Sequence, residues 1–237
     1  MSQTPAEPAP ASASVAMQDP AYLAAVVDLL GVIAYGEISA FERLAEDAKL
    51  APTLQDKAAL AGMASTEFGH FRRISARLEA LGADPMEAMQ GFVSALDGFH
   101  ERTAPADWYE SLIKAYVGEG LVADFYREIA AFLDVDTRTL IVESLDDAFQ
   151  ASFAVERIRD GIAADPRLGG RLALFGRRLM GEALSQAQRV AAEHDALTAL
   201  LAGGVDRPGM DLAAIGRLFN RLTENHTQRM EALGLHA

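Results

Sequence analysis

The sequence contains no cysteine. That excludes disulfides, thiolate zinc sites, iron–sulfur clusters and a cysteine nucleophile, and it fits a reducing interior. Basic residues are scarce: 21 Lys and Arg stand against 34 Asp and Glu, a net charge of −13. A general nucleic-acid binder needs a cationic footprint, so that class is disfavoured. There is no glycine-rich phosphate loop of the dinucleotide or P-loop type, and no nucleophile elbow. No segment alternates with period two over a useful length, and the apolar runs look too short and interrupted to cross a bilayer. The first residues, 1–18, are rich in Ala, Pro and Ser but lack a basic start and an apolar stretch of the signal-peptide kind. They read as a disordered tail ahead of one domain over 19–237, and the expected location is the cytoplasm.

What the chain does have is helical periodicity. Half its residues are hydrophobic, enough for one substantial core. Prolines and glycines bracket the periodic segments. A first helix is predicted over 19–49, with Pro20 in its first turn and Pro52 beyond its end; a second runs from Thr53 to Gly82. Thr53 and Asp56 suit a helix start, and Gly82 suits a left-handed cap. A connecting helix covers 85–101, a third long helix 107–133, a fourth 136–165, a fifth 166–201 and a sixth 211–233. The strings Arg77-Leu-Glu-Ala-Leu-Gly82 and Arg229-Met-Glu-Ala-Leu-Gly234 read as one helix-ending solution used twice. The fold class is all-α: a four-helix bundle with additional C-terminal helices.

Charged residues interrupt the apolar stripes of this bundle where they should face the core. In the second helix the stripe Leu60, Met63, Glu67, His70/Phe71, Ile74, Leu78 carries a Glu-x-x-His. Glu37 interrupts the first helix and Glu119 the third, each beside glycine (Gly36; Gly118 and Gly120). Glycine in a helix interior costs about 1 kcal/mol relative to alanine, and close backbone approach around a buried site would compensate. Glu37 precedes Glu67 by 30 residues, and Glu119 precedes Asp147 by 28. Asp147-Ala-Phe-Gln150 then repeats the i, i+3 layout, which puts both side chains on one helix face. An unpaired buried carboxylate or imidazole costs several kcal/mol, and a shared metal ion is one way to satisfy several at once.

This layout resembles the ligand pattern of ferritin-like di-iron carboxylate proteins, with one Glu from each of two helices and Glu-x-x-His from each of the other two. Carboxylates with an imidazole suit iron, one or two per chain, or manganese. The departure lies at Asp147 and Gln150: one acid is a methylene shorter, and a neutral amide replaces the second imidazole. Glu143 and Asp146 lie close by but would need a rotated helix. An asymmetric di-iron site, a single metal and an empty hydrogen-bonded relic all stay open.

Tyr35-Gly-Glu37, Glu67-Phe-Gly-His70, Val117-Gly-Glu119 and the string Phe175–Gln188 together resemble the ferritin-like tRNA-(2-methylthio-N6-isopentenyladenosine)-hydroxylase family, most closely its actinobacterial hydroxylase-like branch, over about residues 20–235. The resemblance implies dioxygen-dependent hydroxylation at a non-haem iron centre, a reductase or other electron donor, and a tRNA substrate. It implies metal ligation by Glu37, Glu67, His70 and Glu119, with Asp147 as a shortened acid and Gln150 departing from the pattern. A tRNA partner sits poorly with the net charge, unless the arginines between Arg157 and Arg189 meet it; ion pairing with neighbouring acids is the simpler expectation for those arginines. The alternatives are a non-catalytic scaffold with a degenerate site, or an iron-handling protein. A homodimer is expected from the extra amphipathic helices. Tyr116 is a candidate to support Glu119. Glu182 is expected to pair with Arg178, and His194 and His226 are expected to face solvent.

Overall fold

The structure is a computed structural model and describes residues 19–145, 148–202, 210 and 212–237, without the side chains of 148–150, 202 and 212. The regular structure among them is helical throughout: α1 (Pro20–Asp47), α2 (Leu54–Ala80), α3 (Pro85–Gln90), α4 (Val93–Arg102), α5 (Trp108–Ile113), a π-helical turn (Lys114–Gly118), α6 (Glu119–Ala130), α7 (Val135–Ser144), α8 (Ala148–Ala164), α9 (Arg167–Glu193), α10 (Asp195–Ala202) and α11 (Leu212–Ala232).

The helix boundaries follow from local chemistry. Asp19 caps α1 by accepting from the Ala21 N–H, and Thr53 caps α2 by accepting from the Asp56 N–H, satisfying donors that the first turn leaves open. Gly82 ends α2 at φ +79° and Gly234 ends α11 at φ +77°. In both, the N–H after the glycine reaches back over the last turn, Ala83 to the Leu78 carbonyl and Leu235 to the Met230 carbonyl. The paired strings noted in the sequence thus end their helices in the same way.

Three of the expected helices are divided. The connecting helix is two pieces, α3 and α4, joined around Gly91. The fourth is α7 and α8, with α7 closing at Leu145. The fifth is α9 and α10, parted at His194, whose ring stacks on Phe92 at 4.1 Å.

α1 and α2 form the most extensive helix pair. Early α1 residues (Val26, Leu29, Leu30) share a core with late α2 residues (Ile74, Leu78), whereas Leu44 joins Leu60 and Met63 in a second core. The pair therefore runs antiparallel. α1 also packs on α3 and α10. Its best 18-residue window has a mean hydropathy of 1.7, so this helix does reach the length and apolarity of a bilayer span, contrary to the sequence expectation. Half of that window is buried inside the bundle, and a central place in the core accounts for its composition.

The two cores do not merge. Along α1 the gap between them falls after Ala34 and before Leu44; along α2 it falls between Ala64 and Ile74; on α6 it separates Leu121 from Tyr126. Glu37, Glu67 and His70 occupy this seam.

Candidate metal centre

Glu67 and His70 are buried, 3% and 7% exposed, and Glu37 is nearly so. His70 Nδ1 stands 3.4 Å from Glu37 Oε2 on the neighbouring helix and 3.4 Å from Glu67 Oε2 on its own. Neither contact has the direction of a hydrogen bond, and Nδ1 is a buried nitrogen without a hydrogen-bond partner. A charge-assisted N–H···O bond would be about 2.7–2.9 Å long. Two ligands of one ion, each bound at about 2.0–2.2 Å, sit about 3 Å or more apart when adjacent in its coordination sphere. One ligand atom from each of the three residues lies within 4.8 Å of the other two. The spacing and the orphaned nitrogen fit a shared metal ion better than a hydrogen-bonded triad.

The metal-free site has its own charge balance. Burial, reinforced by Glu67, pushes the Glu37 carboxyl well above the usual carboxylate range, although His70 opposes the shift. The same two carboxylates push the His70 imidazole up to about 10. Without a metal, a proton on His70 supplies the positive charge that the seam requires.

The surroundings tie the site to the bundle. Two residues before Glu37, the Tyr35 hydroxyl donates to Asp97 Oδ1 at 2.7 Å, linking α1 to α4. Tyr126 is buried, and its hydroxyl is pushed up first by burial and then by the charge of Glu37. Tyr126 is therefore a tyrosine beside Glu37; burial pushes the Tyr116 hydroxyl up, opposed by Arg229 and Arg159, and Tyr116 lines the cavity together with Glu119. The close backbone approach expected at these glycines is not seen. A Cβ at Gly36 would make only ordinary contacts with Leu96 and the Tyr126 hydroxyl, Gly118 has no close neighbour, and a Cβ at Gly120 would collide with a side chain, the Arg229 guanidinium. Arg229 uses that space to donate to the Gly120 carbonyl at 2.7 Å and to pair with Asp124, fastening α11 to α6.

Glu119 is half-buried and lines a cavity of about 680 Å³ that Glu37 and Glu67 also line. Most of its wall is aliphatic or aromatic, including Leu29, Ile33, Leu96, Leu112 and Met180. A π-helical turn runs from Lys114 to Gly118, and Lys114 and Glu119, at its two ends, both line the cavity.

Asp147 and the Gln150 side chain lie outside the described residues. The helix-nine string has a packing role: Gly176 admits the Met230 thioether, and buried Gln186 lines the cavity. Glu182 reaches Arg102 at 4.0 Å, not Arg178. Arg157 pairs with Asp56 and Arg171 with Asp107 and Glu110, as expected of helix-surface arginines. His226 is only 4% exposed, with neither ring nitrogen bonded, and His194 lies 3.7 Å from Asp28; neither is solvent-facing. Sequence reasoning also missed Lys114, Asp47 and His100 in the cavity wall, because a Lys or Asp on a helix ordinarily reads as a solvent-facing position.

Residues 20–204 match the family described as "Ferritin-like domain, actinomycetes". The chain belongs to this family. No curated protein matches the sequence. Among solved structures, the ferritin-like chain is similar to "Protein 19 with aldehyde deformylating oxidase activity from Synechococcus". The two share 19% identity at a TM-score of 0.69, covering 93% of this chain and 94% of that one. At that identity the likeness establishes the ferritin-like helical fold. The family assignment supports the ferritin-like superfamily and does not single out the tRNA-hydroxylase branch.

Proposed function

We propose that this protein is a non-haem iron oxygenase that oxidises a carbon–hydrogen bond of an apolar substrate held in the cavity. The substrate, dioxygen, two protons and two electrons from an external reductant give an alcohol and water. The observation that carries the reading is the meeting of two features: a buried Glu37–Glu67–His70 cluster with an orphaned nitrogen, and the large apolar cavity that both glutamates line.

Bound iron would supply the activation of dioxygen, and manganese suits the same donors. Glu37, Glu67 and His70 would hold the ion, with Glu119 reaching it from α6. Asp147 and Gln150 are proposed to hold a second ion more weakly. Tyr126 flanks Glu37 in the seam closely enough to feel its charge, and the aliphatic wall would exclude water and orient the substrate. A reductase or small electron carrier is the proposed partner, in the cytoplasm, with the protein as a homodimer. The aldehyde deformylating oxidase activity of the Synechococcus neighbour is in keeping with an oxidative role on this fold. The hydroxylase motif resemblance supports the same reaction class. A tRNA substrate, the finer implication of that resemblance, is favoured neither by the apolar wall nor by Arg157 and Arg171, which are engaged with acids.

The test is oxygen uptake by Fe(II)-loaded protein with a reductant and saturated aliphatic substrates, using labelled dioxygen. Label in the organic product is the expected result. Oxidation of many Fe(II) per chain without product would indicate an iron-handling protein, and a folded chain that takes up no iron would indicate a scaffold.

A further inference from the structure

One region of the cavity wall is polar, and the proposed chemistry does not use it. Lys114, Arg43, Asp47 and His100 line the cavity together. Lys114 is only 7% exposed, and its ammonium has a single long hydrogen bond, to the His100 carbonyl at 3.4 Å, with the Phe99 ring 5.7 Å away. An ammonium carries three donors, so this one is under-used. Burial pushes its pKa down to about 8. Arg43 turns its terminal nitrogens to Glu46 and Glu42, both exposed, while its Nε is buried without a partner. Asp47 is near enough to feel Lys114 but pairs with no cation among the described residues. His100 has a buried, partnerless Nδ1, and burial with the two nearby cations keeps its ring neutral.

Arg43 and Asp47 follow Glu37 on α1 by six and ten residues, or about 9 and 15 Å at 1.5 Å per residue. The cationic cluster and the metal-site acids are thus separated by a stretch of apolar wall. We infer that this cluster is the head-group site for an aliphatic carboxylate, whose anionic end is held by Lys114 and the Arg43 Nε–H while its chain runs along the cavity toward Glu37 and Glu67. The inference rests on the reading of the cavity as a substrate chamber, and it needs no metal. A substrate carboxylate would supply the acceptors that Lys114 and Arg43 lack; Asp47 is too far to pair directly and opposes the ligand by its charge.

The test is equilibrium binding, by calorimetry on the metal-free full chain, of dodecanoate and of dodecanol. Dodecanoate is expected to bind about ten- to a hundredfold more tightly, the range of a charge-assisted hydrogen bond. Lys114→Met should remove that preference and leave dodecanol binding unchanged. Asp47→Asn should tighten dodecanoate alone, a gain that a damaged fold would not give; helical spectra and melting curves check that both variants fold. Equal binding of the two probes would overturn the head-group site while leaving the chamber in place. Binding of neither would overturn both.

Discussion

Lys114 and Glu119 line one cavity from the two ends of a π-helical turn. One stretch of chain thus presents an amine and a carboxylate to the same space. The account assigns them different partners, a substrate anion and a metal ion. Glu119→Ala should lower iron occupancy and leave dodecanoate affinity unchanged, whereas Lys114→Met should do the reverse. Parallel metal analysis and calorimetry on the two variants check this. Loss of both properties in either variant would mean the residues serve one site.

Metal binding should release protons. The carboxylates of Glu37 and Glu67 raise the His70 pKa from the ordinary 6.5 to about 10, so at neutral pH the metal-free site holds a proton that a metal must displace. Apparent affinity should therefore rise with pH through this window, with the His70 proton released on binding and a second one from Glu37, whose carboxyl is also held high. Calorimetry in buffers of different ionisation enthalpy measures it. In the metal-free protein the sign is opposite. The raised pKa stabilises the fold fully below the unfolded histidine value, and that contribution is lost as pH climbs through about 10.

Gly120→Ala should destabilise the fold by about 1–3 kcal/mol through overpacking, because the added Cβ meets the Arg229 guanidinium. Arg229→Ala alone should also destabilise, by freeing α11 from the Gly120 carbonyl and Asp124. In the double variant the clash is gone, so the two losses should not add. Denaturant midpoints for the three variants check the cycle.

Gln150→His should strengthen the second metal position, since imidazole is a better iron ligand than an amide. Iron content should rise from about one toward about two per chain, read by elemental analysis.

The frame of this fold was legible because its signals are local. Asp19, Thr53 and Gly82 mark helix ends by capping chemistry that acts within one turn. Glu37, Glu67 and His70 stood out because each breaks an apolar stripe of regular 3.6-residue period. The breaks at Leu145 and His194 were not legible, since neither position carries a proline or a glycine, and the Phe92–His194 stacking that accompanies the second is a contact across the fold. The π turn escaped for a related reason: a stripe read with α-helical period cannot reveal where the period changes. Lys114, Asp47 and His100 went unseen with it. The place of Tyr126 beside Glu37 depends on how α6 packs against α1, which no local signal carries.

The function proposed for this chain turns on Glu37, Glu67 and His70 binding a metal ion. The most direct measurement is iron per chain by elemental analysis after anaerobic Fe(II) loading and desalting, for the wild type and for Glu67→Ala. At least one tightly held iron is expected in the wild type and none in the variant, with both chains helical. A folded wild type without iron, or equal iron in the two, would contradict it.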